Sequence, residues 1–363
     1  MKKTIGIIFG GKSVEHDVSI ITALQIYSAI DKYKYIVEMF YITKENKIIV
    51  GKGLEQLETY KNKDFKKTNE IYFYSKDNKT YYHSKNKKGK VIDVMINAVH
   101  GKGVEDGTIS AILDFNNIAY TSSQVTESAI IQDKWLTKLI LEHYKIPTLP
   151  SQQINKKEKI KIKIALPIII KPVSLGSSIG ITIVKNEDEM VEKLNESFNY
   201  QERLMIEPLL EQYREFSCAI YEINQLPVHS AIEETINEHD IYTFNDKYAS
   251  KEQRRVIPAL ISDDLAKQIR KVTQNVYRIF NLKGVVRVDF LFDTKNNQLY
   301  VNEINSIPGS FSYLLFEKEG INFKKLLDDL IIEALLEKSR KNKYISNYDS
   351  KIINQQEKIR ITK

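Results

Sequence analysis

Apolar residues in the first third of the chain alternate between two rhythms. "TIGIIF" (residues 4–9) is an unbroken apolar run of strand length, followed by "GG". From Ser13 to Ile30 the apolar positions recur at helical spacing, and "IVEMFYITK" (36–44) returns to a strand. "YFYSKDNKTYYHSK" (72–85) predicts a hairpin around a charged turn, and "VIDVMINAV" (91–99) a further apolar strand. A helical segment follows the loop "HGKGVEDGT" (100–108). Alternating strand and helix predict an α/β domain that ends near Ser122.

The second stretch is punctuated differently. "ESAIIQDKWLTKLILEHYKI" (127–146) predicts one helix, stopped by "PTLP". A Lys-rich, hairpin-like stretch leads to "PIIIKPVSLGSSIGITIV" (167–184), two strands around a glycine- and serine-rich loop. "DEMVEKLNESF" (188–198) predicts a helix, and "RLMIEPLL" (203–210) a strand that closes a small subdomain. Strand and helix then alternate to Leu336, and residues 337–363 read as a polar, basic tail. The expected divisions are therefore 1–122, 123–210, 211–336 and the tail, with no internal repeat.

Length and composition agree with this division. At 363 residues the chain is too long for one ordinary core, and 42% hydrophobic with 28% charged is a soluble globular balance. Its most apolar stretch, "IALPIIIKP" (164–172), is half a membrane span and is broken by Pro167. "MKKTIGIIFGG" begins like a signal peptide, but its apolar part is short, glycine-interrupted and followed by charge, which favours a strand. Cys218 is the single cysteine, so no internal disulfide framework is expected and a reducing cytoplasm suits the chain. The net charge of +7 comes from lysines spread along the chain without clustered arginine, so neither a nucleic-acid nor a membrane partner is expected.

"GIIFGGKS" (6–13) fits the phosphate-cradling pattern G-x-x-x-x-G-K-[ST]. That pattern needs its four middle residues to form a loop whose amides wrap phosphate. Here Ile7, Ile8 and Phe9 belong to the first strand, which leaves only Gly10 and Gly11 for the turn. No P-loop is expected.

Chemistry concentrates late in the chain, in "VVRVDFLFD" (285–293) and "QLYVNEINSIPGS" (298–310). Strand residues two apart share a face, so Arg287 points with Asp289 and Glu303 with Asn305. Such polar groups on apolar strands must satisfy one another or a ligand. Their hard oxygens suit Mg²⁺ bridging nucleotide phosphates; a buried ion-pair network is the alternative. In "IIIKPVSLGSSIG" (168–180), Lys171 precedes a loop carrying Gly176, Ser177, Ser178 and Gly180. A lysine beside such amides and hydroxyls can clamp a nucleotide phosphate, although glycine–serine turns also occur in ordinary hairpins.

Seven segments in order resemble the D-alanine–D-alanine ligases of the ATP-grasp superfamily. They are "GGKSVEHDVS" (10–19), "HGKGVEDGT" (100–108), "QDK" (132–134), "IIKPVSLGSSIG" (169–180), "NDKY" (245–248), "RVDF" (287–290) and "NEINSIPG" (302–309). The resemblance runs from Ile5 to about Leu336. It implies a Rossmann-like, pre-ATP-grasp N-terminal domain followed by a two-part ATP-grasp fold. It also implies that Lys134, Lys171 and Ser178 contact ATP phosphates, with Lys247 at the γ-phosphate and Glu207, Leu210 and Glu215 at adenine and ribose. Asp289, Glu303 and Asn305 would bind two Mg²⁺ ions, with Mn²⁺ able to substitute. Glu15 would meet the ammonium of the first D-alanine and form a trio with Ser177 and Tyr248. Arg287 and the Gly309 backbone would stabilise an oxyanion, and His100 would lie near the first substrate. Members are usually homodimers. The closing loops would be 175–180 and 238–250.

The chain departs from the family pattern in three places. Leu314 stands where the family has a serine for the acceptor carboxylate, which leaves Ser310, Ser312, Tyr313 or Lys247 to take it, or a different acceptor. Val104 replaces a loop glycine, and "EPLLEQYREF" (207–216) is one residue longer than a common form. Lys247 and Tyr248 set the chain apart from D-lactate-incorporating relatives, which carry a loop histidine; His239 lies in the same segment and is expected to be solvated. Three readings compete with D-alanine ligation: an ATP-grasp ligase with another donor–acceptor pair, a nucleotide-binding paralogue without catalysis, and nucleic-acid binding through the basic tail at 337–363.

Overall fold

The computed structural model describes residues 2–77, 79–84, 89–236, 254–345 and 350. The first domain opens with β1 (Lys3–Gly10), α1 (His16–Ala29), β2 (Tyr35–Ile42), β3 (Ile48–Gly51) and α2 (Leu57–Lys61). It continues with β4 (Thr68–Glu70), β5 (Tyr72–Lys76), β6 (Lys79–His83), β7 (Lys90–Ile92), β8 (Val94–Asn97), α3 (Thr108–Phe115) and β9 (Ala119–Tyr120). Its main sheet runs β4-β3-β2-β1-β8-β9, and β2, β1, β8 and β9 are parallel. β1 is central and covered on both faces, so its apolar residues run without alternation; Ile5, Ile7, Ile8 and Phe9 are fully buried.

That strand disposes of the P-loop pattern, because Ile7, Ile8 and Phe9 lie within it and it runs to Gly10. Gly10 has φ +90°, and a Cβ there would lie 2.4 Å from the Ile42 carbonyl oxygen. Only glycine makes this turn. Its N–H donates to Ser19 Oγ (2.7 Å), which in turn donates to the Ala98 carbonyl (2.7 Å). One hydroxyl of α1 thus ties the helix start to the ends of two parallel strands, the edge where α/β sheets place ligands.

The helix expected over 127–146 is two helices, α4 (Val125–Gln132) and α5 (Lys134–His143). Asp133 breaks them with an extended backbone (φ −94°, ψ 100°) and accepts a hydrogen bond from Leu136 N at 3.0 Å. Aspartate favours this capping geometry over a helix interior. Its other oxygen pairs with Arg203 (2.7 Å), and the Lys134 N–H bonds the Val173 carbonyl (2.7 Å).

A four-stranded antiparallel sheet follows, built from β10 (Gln152–Asn155), β11 (Ile168–Pro172), β12 (Thr182–Val184) and, after α6 (Met190–Phe198), β13 (Arg203–Pro208). The spatial order is β10-β13-β11-β12, and the glycine- and serine-rich loop joins β11 to β12. Eight buried residues between Ile154 and Ile206 give this lid its own core.

The last part comprises β14 (Tyr213–Ile223), β15 (Leu226–Ile236), β16 (Arg254–Val256), α7 (Asp263–Ile279), β17 (Val286–Asp293) and β18 (Gln298–Asn305). A 3₁₀ turn (Gly309–Ser312), α8 (Tyr313–Glu317) and α9 (Phe323–Lys341) complete it. The sheet order is β16-β15-β14-β17-β18, all antiparallel. Ile131 and Leu141, from α4 and α5, join this domain's core. Leu326, Leu327, Leu330 and Ile331 of α9 join the core of the first domain instead.

α9 runs past Leu336 to Lys341, into the stretch expected to be an unpacked tail. Arg340 pairs with Glu333 (2.8 Å) and Glu337 (2.9 Å), Lys341 with Asp114 (3.0 Å), and Lys338 Nζ donates to the Asn117 carbonyl (2.6 Å). Charge pairing holds this turn, so a hydropathy pattern does not reveal it.

Replacing Asp133 by alanine removes both the α5 cap and the Arg203 pair, with an expected loss of roughly 1–2 kcal/mol. The urea midpoint should fall, and Asp133→Asn, which keeps the capping oxygen, should fall less. Equal midpoints for all three proteins would remove the cap as the cause of the break.

Candidate active site

Three loops meet at the carboxyl edge of the first sheet. Glu15 precedes α1, and its carboxylate accepts a hydrogen bond from Ser177 Oγ of the lid loop. Backbone crowds this carboxylate from two sides. A Cβ at Gly101 would lie 2.6 Å from Glu15 Oε2, and one at Gly176 would lie 2.9 Å from it. Ser177 and Ser178 are both left-handed (φ +54° and +57°), a conformation that costs roughly 1 kcal/mol or more per non-glycine residue.

His100 is buried with Nε2 3.0 Å from Thr22 Oγ1, and burial pushes its pKa down to about 4 despite a backbone hydrogen bond at Ile307. It is therefore neutral at neutral pH. The same Thr22 hydroxyl accepts from Ser310 N (3.1 Å), and Ser310 Oγ reaches Gln25, three residues along α1 on the same face. Glu105, which the motif reading left without a role, holds the other end of that loop. It accepts from Ser306 Oγ (3.0 Å) and Ile307 N (3.1 Å) through one oxygen, and from Gly101 N (2.9 Å) through the other.

Between these ties the backbone is contorted. Ser310, Phe311 and Ser312 have φ of +52°, +52° and +50°. Phe311 is buried in the first core and its N–H bonds the Pro308 carbonyl (2.8 Å). A Cβ at Gly309 would meet nothing within 4 Å, so the chain is uncrowded there, while Ser312 Oγ is buried without a hydrogen-bond partner. Val104 is buried against Gly11, where a Cβ would come within 2.4 Å of it. The left-handed positions of its loop fall on Gly101, Gly103 and Gly107, so valine at 104 leaves the turn intact.

On the C-terminal sheet, Arg287 and Asp289 do share a face. Arg287 Nε and Nη2 donate to Asp289 (2.6 and 2.8 Å), which also accepts from Ser217 Oγ (2.8 Å) and Asn305 Nδ2 (2.9 Å). Burial opposes the Arg287 charge, yet Asp289, with Glu233 and Glu303 beyond it, holds its pKa above the ordinary range. Glu303 sits opposite Asp289 in the ladder and pairs with Lys134 (2.9 Å), whose ammonium also donates to the Leu175 carbonyl (2.7 Å). The ladder shifts register between Asp289 and Phe290, an irregularity at the site's edge. Near it, Asn302 Oδ1 accepts from Lys171 Nζ (3.3 Å), which pairs with buried Glu207 (2.6 Å).

Leu210 lies in the turn between β13 and β14, and Glu215 is the third residue of β14. Lys247 and Tyr248, like His239, lie outside the described residues. Among the other predicted positions the structure joins Glu15 with Ser177, Asp289 with Arg287 and Asn305, Glu303 with Lys134, and Lys171 with Glu207. Lys138 and Glu105 were missed. Lys138 follows Lys134 by one helical turn on a buried face, and Glu105 stands within a quoted motif; a charge at such positions was the available signal.

Two carboxylates and an amide on adjacent strands, now neutralised by Lys134 and Arg287, are a hard-oxygen set that fits a divalent cation. A lid sheet and a C-terminal sheet that bring two lysines and a glycine–serine loop over such carboxylates define an ATP-grasp enzyme. Residues 4–123 match the family description "D-ala D-ala ligase N-terminus" and residues 140–332 match "D-ala D-ala ligase C-terminus". The chain belongs to the D-alanine–D-alanine ligase family. The D-alanine–D-alanine ligase of Thermosipho africanus is 37% identical over 352 residues, which cover 93% of this chain and 95% of the relative. That of Staphylococcus epidermidis is 31% identical over 365 residues, covering 96% and 99%. The solved D-alanine-D-alanine ligase from Coxiella burnetii superposes with a TM-score of 0.81 at 26% identity, over 94% of this chain and 96% of that one. The Bacillus anthracis enzyme complexed with ATP gives 0.68 at 25% identity, over 94% and 100%.

Burial and the nearby Glu15 charge push the Glu105 pKa up to about 7, against the three donors that favour its ionised form. The folded chain therefore keeps this proton where an unfolded glutamate has lost it, so this group's contribution to stability falls as pH rises from the ordinary carboxylate range to 7. A carboxyl ¹³C titration should place the Glu105 midpoint near 7, and Glu15→Gln should lower it. A midpoint that ignores Glu15→Gln would refute the coupling.

Proposed function

We infer that the protein is an ATP-dependent ligase that joins two D-alanines into D-alanyl-D-alanine, a peptidoglycan precursor. The observation that carries this reading is the Lys134 ammonium bridging Glu303 to the lid loop, within a chain matched by the family along its length. The carboxylate of the first D-alanine attacks the γ-phosphate of ATP, giving an acyl phosphate and ADP. The neutral amine of the second D-alanine then attacks that carbonyl, and phosphate leaves. Phosphorylation turns a poor electrophile into one with a good leaving group.

The residues divide this work by position. Glu15, crowded by Gly101 and Gly176, holds the donor ammonium, with Ser177 and Tyr248 ordering the same corner and neutral His100 beside it. Lys134, Lys171 and the Ser178 turn take the phosphates, with Lys247 at the γ-phosphate; Glu207, Leu210 and Glu215 take adenine and ribose. Arg287 and the backbone at Gly309, which no side chain crowds, would stabilise the developing oxyanion. Asp289, Glu303 and Asn305 would hold two Mg²⁺ ions, or Mn²⁺, which would supply charge neutralisation at the phosphates. The lid loop excludes water from the acyl phosphate. Among the described residues no helix is long and apolar enough to cross a membrane, which agrees with work in the cytoplasm. A homodimer is the family's usual assembly and is proposed here on that ground alone.

The acceptor end supports a second reading. Leu314 is 44% exposed on α8 and offers no hydrogen bond, whereas the buried Ser312 hydroxyl has no partner. Ser312 is therefore the proposed contact for the acceptor carboxylate, and an acceptor other than D-alanine is the alternative.

Phosphate release from ATP and Mg²⁺, measured across single and paired D- and L-amino acids with products weighed by mass spectrometry, tests both readings. Release with D-alanine alone and a D-alanyl-D-alanine mass is expected; release only with another pair would move the specificity. Asp289→Ala and Glu303→Ala should each abolish turnover with the fold intact, and near-normal activity would refute the metal assignment. Leu314→Ser should lower the acceptor KM for D-alanine; no change would place residue 314 outside the acceptor site.

A further inference from the structure

Three charged side chains are buried together under the nucleotide side of the site, and one of them, Lys138, has no part in the scheme above. The side chains of Lys138, Glu207 and Lys171 are 4%, 1% and 11% exposed. Lys138 lies on α5 and its ammonium contacts one Glu207 oxygen while donating to the Leu149 carbonyl at 3.0 Å. Lys171 takes the other Glu207 oxygen and reaches on to Asn302. One carboxylate is thus shared by two ammoniums that arrive from a helix and a strand. Burial and the neighbouring Lys171 push the Lys138 pKa well below the usual lysine range, and the charge of Glu142, one turn further along α5, opposes them.

The arrangement looks redundant for a structural pair, since one lysine already neutralises Glu207. It ceases to be redundant if Lys171 is needed elsewhere. A lysine that turns toward phosphate leaves its former carboxylate behind, and a carboxylate stranded at 1% exposure is strongly disfavoured. We propose that Lys138 is a positioning residue that keeps Glu207 paired when Lys171 turns to the phosphates of the nucleotide. The proposal rests on the assignment of Lys171 to phosphate made above. Lys138 touches neither phosphate nor amino acid; it acts by making the departure of Lys171 cheap.

Removing Lys138 gives Glu207 two poor choices when the nucleotide arrives. It can retain Lys171, which weakens the phosphate contact, or it can take up a proton. Nucleotide binding to Lys138→Met should therefore weaken by about tenfold or more and should become weaker still as pH rises from 6 to 8.5, because proton uptake grows harder. The unaltered protein should show a clearly shallower dependence, and Lys138→Arg should restore most of the affinity.

The experiment is calorimetric titration of the full chain with ATP and Mg²⁺, without amino acid, at several pH values. Affinity unchanged in Lys138→Met overturns the proposal, and so does a weakening that is independent of pH, which packing alone would produce. A second comparison holds even where Lys138→Met fails to fold. In a Glu207→Gln background no carboxylate needs a partner, so adding Lys138→Met should change ATP affinity less than about threefold. A further tenfold loss there would show that Lys138 acts on something other than Glu207. Failure of the unaltered protein to bind ATP would instead overturn the nucleotide assignment itself.

Discussion

The Glu105 carboxylate reaches out of the first domain and accepts Ser306 Oγ and Ile307 N from the loop that leaves the C-terminal sheet. Thr22 and Gln25 of α1 take Ser310 immediately beyond. The three left-handed residues 310–312 persist between these ties because hydrogen bonds and the burial of Phe311 outweigh roughly 1 kcal/mol or more of backbone strain at each. Everything downstream depends on that clasp. It fixes the turn at 310–312 against α1 and the loop that carries Glu105, so that two domains contribute to the candidate site.

The second organising constraint is compensated charge. Asp289 is held by Arg287, Glu303 by Lys134 and Glu207 by two lysines, so these three acids already face cations of the chain. These pairs let carboxylates be partly buried before any ligand arrives. They also mean that ligand binding is an exchange of partners and not the capture of bare charge. An exchange of this kind can be nearly neutral overall while still being selective for geometry.

Much of this was legible in the chain. Period-two alternation put Arg287 with Asp289, and the buried run at 5–9 told a strand from a phosphate loop. What escaped shares a physical origin, namely contacts between residues far apart in sequence. The shift in register beside Asp289, next to which Asn302 meets Lys171, is a property of two paired strands and not of either alone. Lys138 looked like one more lysine in a Lys-rich chain, since burial beside Glu207, sixty-nine residues on, is invisible to local pattern. The last turn of α9 was read as loose because its anchors, Asp114 and Asn117, come from another domain. Asp133 was the avoidable miss, as an aspartate before a helical face is itself a stop-and-start mark.

The lid's core shares no buried residue with the other two. Its polar ties to the rest of the molecule include the Leu175 carbonyl with Lys134, Arg203 with Asp133, and Lys171 with Asn302. Moving it would exchange these ties for water or for a ligand. Dissolved ions would reach the half-exposed Arg203 beside Asp133 most easily, and Lys171, buried beside Glu207, much less.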